Sequence, residues 1–171
     1  MVRPSLRLFS KAQDDDASDP SRFIDDPVPA GPLEVPDREP VGLRTPRTDA
    51  YRRWRFGSHP TAWYYQVEAE GSVAVVRPNV RNGRRELVLA DVFGHRPGRA
   101  IRKCARHSRA AYLAGWFSPG SPDRGAAIRS GLLPVPGLKP LTLMARPLGD
   151  LDIDVFDMAN WDLAVSDLEL L

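Results

Sequence analysis

The chain has 171 residues, a net charge of +2 and an apolar content of 42%, which is enough for one domain with a hydrophobic core. Its single cysteine, Cys104, excludes an intrachain disulfide and a zinc site built from several cysteines. No apolar run approaches the length of a membrane span, and Arg3 and Arg7 interrupt the apolar residues near the start, so no secretory signal is expected. We therefore predict a cytoplasmic protein that does not bind membranes.

Charge is distributed unevenly along the chain. Residues 48–109 contain 13 basic and 5 acidic side chains, a net charge of +8, whereas residues 1–47 carry −2 and residues 110–171 carry −4. A basic middle section is typical of a solvated surface, but it also favours an acidic ligand or a nucleic acid. The motifs within this section decide among these interpretations.

The first 47 residues are predicted to be a mobile tail. They include the acidic run Asp14–Asp16 and five prolines at short intervals between Pro27 and Pro40. A segment of this composition does not bury enough apolar surface to offset the entropy lost when it becomes ordered. Residues 48–171 are the predicted domain, and it begins with Thr48 as the N-cap of a helix over 49–56.

Three strands are predicted after this helix. Residues 63–69 alternate between two faces, with Trp63 on the apolar one. Residues 72–77 are rich in valine, and Asn82-Gly83 is typical of a tight hairpin because both positions tolerate positive φ. With a third strand over 85–93, these segments form an antiparallel meander.

The pattern then changes to alternating helices and strands. A crossover helix makes the strands on either side of it parallel, so the predicted sheet is mixed. The expected fold is α+β (α/β), with a mostly antiparallel sheet and flanking helices. The predicted elements are a helix over 99–108, a strand over 111–117, a helix over 121–130, and a final pair of strands over 141–146 and 162–166.

One connection in this order indicates a ligand. The strand Leu87–Phe93 leads through Gly94-His95-Arg96-Pro97-Gly98 into an arginine-rich helix. Backbone N–H groups at the start of a helix lie at the positive end of its dipole and bind phosphate. A lone turn of this kind is usually an ordinary connection, but this one lies within the basic section. The turn therefore predicts a phosphate-bearing ligand.

The order of elements resembles the C-terminal two thirds of the GNAT N-acetyltransferase superfamily. The turn His95-Arg96-Pro97-Gly98-Arg99-Ala100 is similar to that family's pyrophosphate pattern Gln/Arg-x-x-Gly-x-Gly/Ala, with His95 as a departure. Tyr51-Arg52-Arg53-Trp54-Arg55-Phe56, then His59-Pro60 and Tyr64, and finally Trp161-Asp162-Leu163 with Ser166-Asp167, resemble a bacterial branch of the family. The resemblance covers residues 42–171.

This resemblance implies a transferase that moves the acetyl group of acetyl-CoA, its co-substrate, to a small-molecule or peptide amine. Asp91 is a candidate proton acceptor, although a carboxylate paired with nearby arginines fits the sequence better. The helix over 121–130 lacks the tyrosine that often serves the family as an acid, so no catalytic residue is assigned, and an inactive relative stays open. The resemblance places acetyl-CoA where two neighbouring strands part, on Asp91, Val92, Phe93, Gly94, His95, Arg96, Gly98, Arg99 and Ala100.

The opening of the chain departs from the family. GNAT proteins begin with a strand and two helices, whereas this chain has the proline-rich tail in their place, so we expect a partial GNAT-like fold. Strand 63–69 would then be an open edge of the sheet, which invites pairing with a second copy of the chain, as a homodimer, or with another protein.

Two further functions stay open. One is a non-catalytic interaction domain, and the other is a nucleic-acid-binding module built on the helix over 99–108. The arginines of that helix have no aromatic residues interleaved with them, which disfavours nucleic acid. No metal site is expected, because the histidines lack zinc-ligand spacing and Val155 replaces the glycine that a calcium loop starting at Asp150 needs. The residues of the nucleic-acid alternative are Arg96, Arg99, Arg102, Lys103, Arg106 and Arg109.

Overall fold

The computed structural model describes residues 19–31, 35–59, 62–135 and 152–168. Their centre is a five-stranded sheet in which each strand pairs with its neighbours in chain order. The first four strands are antiparallel and the fifth is parallel to the fourth, so the predicted mixed, mostly antiparallel sheet is confirmed. The strands are β1 (Val28–Pro29), β2 (Tyr65–Ala69), β3 (Ser72–Arg81), β4 (Arg84–Gly94) and β5 (Tyr112–Gly115).

The hairpin between β3 and β4 forms where the sequence predicted it. Asn82 and Gly83 both have positive φ, 53° and 72°, and Arg81 pairs with Arg84 on either side of them. Asparagine and glycine adopt this left-handed conformation at low cost. The turn therefore fixes the register of the two longest strands.

Helices flank the sheet. Thr48 caps α1, because its side chain accepts a hydrogen bond from the Tyr51 amide at 3.1 Å. Ser121 caps α3, because its side chain accepts a hydrogen bond from the Asp123 amide. None of the helices in the described ranges has the length and apolar character that crossing a bilayer requires. The helices are α1 (Asp49–Arg52), which continues as a π-helical turn over Arg53–Gly57, α2 (Pro97–His107), α3 (Pro122–Arg129) and α4 (Val165–Leu168).

Each face of the sheet contributes to a separate apolar cluster. On one face, Leu89 and Val92 of β4 pack with Ile101 and Cys104 of α2. On the other face, Phe93 of β4 packs with Phe56, in the turn after α1, and with Tyr64, which immediately precedes β2. Since side chains alternate along a strand, Asp91 lies on the same face as Phe93, opposite α2.

The described part of the predicted tail is packed against the domain. Phe23 and Ile24 are 0% and 1% exposed and belong to the α2-side cluster. β1 pairs with β2, and the Ala30 amide donates to the Tyr64 carbonyl oxygen at 2.8 Å. The prediction of a mobile tail through residue 47 is therefore wrong for residues 19–31 and 35–47. A few apolar residues suffice because the sheet and α2 supply the rest of their surroundings. Residues 1–18 lie outside the described residues.

The same contacts change the prediction for the edge of the sheet. β1 pairs with two of the five residues of β2, Tyr65 and Gln66, so β2 is not an open edge strand along its whole length. β2 begins at Tyr65, and Trp63, which was predicted on the apolar face, is 73% exposed. The predicted homodimer through that edge stays a prediction, and residues 67–69 are the part of β2 that β1 leaves uncovered.

The C-terminal segment is helical where a strand was predicted. Residues 162–166 make only an isolated bridge at Ala164 before α4 begins at Val165. The Asp167 carboxylate, at the third helical position, accepts a hydrogen bond from the Ala164 amide at 2.9 Å. This bond is one of the two in a capping box, and it stabilises the start of a helix. The other predicted strand, residues 141–146, lies outside the described residues.

Candidate functional site

The strands β4 and β5 part beside the predicted ligand site. They pair only from Glu86 to Leu89 in β4, whereas β4 itself continues to Gly94. A bulge at Ala90 interrupts the pairing with β3 at the same level, since Val76 faces Leu89 and Val75 faces Asp91. Beyond β5, Phe117 pairs with Ala164 instead of with β4. The two strands therefore diverge after Leu89, and Ala164 and Ser166 of the C-terminal segment lie beside them, with Ser166 Oγ donating to Asp91.

The end of β4 leads directly into α2. Gly94 has φ +91°, and a Cβ atom there would overlap the carbonyl oxygen of Gly71, so this position requires glycine. The Arg96 amide donates to Ser72 Oγ at 2.8 Å and the Arg99 amide donates to the Arg96 carbonyl oxygen at 2.8 Å. Pro97 has no amide hydrogen. Side chains, more than amides, therefore supply the hydrogen-bond donors at this helix start.

A cavity of about 480 Å³ opens at this point between α2 and α3. Arginine dominates its lining, and within the described ranges Asp123 is its one acidic residue. Five guanidinium groups around one carboxylate give the cavity a positive field, which concentrates anions. The lining residues are Arg38, Gly94, His95, Arg96, Pro97, Gly98, Arg99, Arg102, Pro122, Asp123, Ala126 and Arg129.

Acidic residues hold three of the cavity's arginines. Arg96 and Arg99 are 67% and 52% exposed and share the carboxylate of Glu70, at 3.4 and 3.5 Å. Exposed pairs of this kind are weak, about 0–1 kcal/mol, so an incoming anion competes with Glu70 at little cost. Arg38 is bound more tightly, because it contacts Asp123 at 2.9 Å and Asp162 at 2.8 Å.

The pKa values of the two carboxyl groups that hold Arg38 are shifted in opposite directions. Burial raises the pKa of Asp123, and the hydrogen bond from Arg38 does not offset this. Burial also acts to raise the pKa of Asp162, but hydrogen bonds from Arg38 and Ser121 outweigh it, so the pKa of Asp162 is lowered. Arg38 thus joins the segment before α1 to α3 and to the C-terminal segment at the cavity wall.

Gly98, predicted to cradle a phosphate, lies against α3. A Cβ atom at Gly98 would lie 3.0 Å from Ser130 Oγ and 3.4 Å from Arg102 Nη1. Ser130 Oγ donates to the Gly98 carbonyl oxygen at 3.2 Å. The glycine therefore allows the close approach of the two helices that form the cavity, in addition to lining it.

Asp91 is buried and fully engaged. It is 1% exposed, and its Oδ2 forms an ion pair with Arg47 and accepts a hydrogen bond from Ser166 Oγ at 2.8 Å. Its Oδ1 accepts from the Val92 amide at 2.9 Å. These partners occupy both carboxylate oxygens, and burial keeps Asp91 away from solvent and substrate, so Asp91 has a structural role here and is not placed to accept a proton.

The segment 51–56 and the segment 161–167, which both resembled the bacterial GNAT-like branch, meet on the face of the sheet that carries Asp91 and Phe93. Arg47 contacts Asp167 at 2.8 Å and Ser166 Oγ at 3.1 Å, and Arg55 Nε donates to the Ser166 carbonyl oxygen at 2.9 Å. The guanidinium of Arg47 also lies 5.9 Å from the centre of the Phe93 ring. Segments more than 100 residues apart in the chain are therefore joined beside the parting strands.

The predicted site residues divide into two groups. Gly94, His95, Arg96, Gly98 and Arg99 line the cavity. Asp91, Val92, Phe93 and Ala100 are buried and do not line it. The sequence patterns did not predict Arg38, Arg47 or Arg129. Arg38 and Arg47 fall in the part predicted to be a mobile tail. The one sequence signal for their pairing was the net negative charge of residues 110–171, which could balance these arginines.

The basic row proposed for nucleic acid is partly used within the protein. Lys103 Nζ donates to the Glu68 carbonyl oxygen at 2.9 Å, and Arg109 forms an ion pair with Asp25. In the described part of the chain, no group of three or more histidine, cysteine, aspartate or glutamate residues is arranged to hold a metal ion.

Comparison of the chain with models of protein families, with curated proteins and with solved structures finds no match. The geometry itself defines an α+β protein with an arginine-lined cavity at the start of a helix, next to two strands that part.

Proposed function

We propose that this chain binds acetyl-CoA in the arginine-lined cavity and acts as a GNAT-like N-acetyltransferase. One observation carries the proposal: a positively charged cavity lies at the end of β4, beside the point where β4 and β5 part. A diphosphate matches the cavity in charge. The resemblance of the sequence to GNAT proteins supports the same ligand.

In this proposal the chain binds and orients the thioester. Arg96 and Arg99 contact the diphosphate by displacing Glu70, and the dipole of α2 adds to the attraction. Acetyl-CoA supplies an activated acetyl group, which an amine attacks as the thiol leaves. Positioning of the two reactants contributes up to about 7–11 kcal/mol to lowering the barrier of such a reaction. Asp91 contributes by holding β4 in place and not by moving a proton.

The proposal is tested by isothermal calorimetry with CoA and acetyl-CoA. The informative variant is R99E, which reverses a charge at the cavity. R106E is the matched control, because Arg106 lies on the same helix, is exposed, and does not line the cavity. Loss of one charge-assisted contact and repulsion of the diphosphate should weaken CoA binding about tenfold or more in R99E, with little change in R106E.

The two variants also separate the proposal from nucleic-acid binding. Non-specific binding to a nucleic acid depends on the total positive charge of α2, so R99E and R106E would weaken it equally and salt would weaken it steeply. Absence of heat with both CoA and acetyl-CoA, or equal loss in the two variants, would overturn the proposed function.

A further inference from the structure

Two arginines of the cavity, Arg102 in α2 and Arg129 in α3, have no acidic partner among the described residues. Arg102 is half-buried and hydrogen-bonds only the neutral hydroxyl of Ser130, at 3.4 Å. Arg129 makes no hydrogen bond or ion pair within the described ranges, and its guanidinium is folded back along α3 toward Gly125. We call these two residues the α2–α3 arginine pair.

The arginine pair differs in this respect from the other arginines of the cavity. Arg96 and Arg99 share Glu70, and Arg38 is held by Asp123 and Asp162. Arg102 is half-buried and Arg129 is exposed, so the guanidinium groups of both line the cavity and are accessible to an incoming anion. The cavity therefore contains more positive charge than its own carboxylates balance, and the excess lies at the arginine pair.

We propose that the α2–α3 arginine pair forms a separate subsite for a phosphomonoester, which in CoA is the 3′-phosphate of the ribose. This inference rests on the proposed function, because it names the part of CoA that the pair recognises. A phosphomonoester carries a charge of about −1.5 to −2 near neutral pH. The planar guanidinium groups of two arginines match its charge and the geometry of its oxygens. A diphosphate at Arg96 and Arg99 leaves this pair for the third phosphate.

The test compares CoA with dephospho-CoA, which lacks only the 3′-phosphate. Wild-type protein should bind CoA about tenfold more tightly than dephospho-CoA, as expected for charge-assisted contacts to one phosphate. R129Q should reduce this preference to about twofold or less, while its affinity for dephospho-CoA stays close to that of the wild type. R124Q is the control: Arg124 lies on the same helix, is exposed and does not line the cavity.

The outcomes separate the two proposals. If both ligands bind with equal affinity to the wild type, the subsite is overturned while the proposed function stands. If neither ligand binds to the wild type, the proposed function is overturned, and the subsite that rests on it is overturned with it. An arm with inorganic phosphate distinguishes the source of the phosphomonoester: strong competition by phosphate at about millimolar concentration, with no preference for CoA over dephospho-CoA, assigns the pair to free phosphate and overturns its role in CoA recognition.

Discussion

Replacement of Arg47 by methionine tests how the C-terminal segment is held beside β4. The side chain of Arg47 is 3% exposed and lies between two buried carboxylates, those of Asp91 and Asp167. R47M keeps much of the side-chain volume but removes the charge that both carboxylates face. Asp91 then retains only the Ser166 hydroxyl and the Val92 amide, and Asp167 retains the Ala164 amide.

The structure gives an expected size for this effect. Removing one partner from a buried ion pair costs about 3–5 kcal/mol, because the remaining charge is left without compensation. D91N should cost less, about 1–3 kcal/mol, since the asparagine oxygen still accepts from the Val92 amide and Arg47 keeps Asp167. In the double variant R47M/D91N one of the two stranded charges is absent, so its cost should be smaller than the sum of the single costs.

The assay is urea unfolding followed by tryptophan fluorescence. With a slope of about 2 kcal/mol per molar urea, R47M should lower the midpoint by about 1.5–2.5 M. R53M is the matched control, because Arg53 is exposed on the turn after α1, and its midpoint should stay within about 0.3 M of the wild type. Equal midpoints for R47M and R53M, or strictly additive costs in the double variant, would refute the buried network.

Two further predictions concern titratable groups. Burial raises the pKa of Cys104 to about 12 and the residue is 0% exposed, so the native protein should not react with dithionitrobenzoate at pH 8 and should react fully in urea; rapid reaction of the native protein would contradict this. The pKa of Asp162 is lowered in the fold, so its ionised form stabilises the protein above about pH 4, and this stability is lost as the pH falls through the folded value. D162N should therefore be less stable than the wild type at pH 7, and the difference should shrink on acidification, which thermal unfolding from pH 7 to pH 3 measures; a difference that grows at low pH would contradict the assignment.

Local signals in the sequence predicted much of the fold. Thr48 and Ser121 cap helices by bonding amides within three residues, and Asn82-Gly83 sets a turn through its own backbone preferences. Alternation predicted β2, valine content predicted the first part of β3, and an apolar run predicted β4. Each of these features depends on neighbours in the chain, which is why the sequence alone was sufficient for them.

Long-range contacts were not predictable in the same way. Phe23 and Ile24 lie in a proline-rich and acidic segment, and only the sheet and α2 make their burial favourable. The pairing of Arg38 with Asp123 and Asp162 joins segments 85 and 124 residues apart. The glycine turn predicted the mouth of the cavity, but the arginines that complete it from α3 and from the N-terminal segment carry no local motif.

The central claim, that the end of β4 and the start of α2 bind the phosphates of CoA, is tested most directly by titrating ¹⁵N-labelled protein with CoA and following its backbone amides. The account predicts that the largest shifts occur at Gly94, His95, Gly98 and Arg99, with smaller shifts in α3. The amides of Phe56, on the opposite face of the sheet, and of Tyr51, whose ring contacts Phe56, should change little. Shifts centred on that face, or no shifts at saturating CoA, would contradict the account.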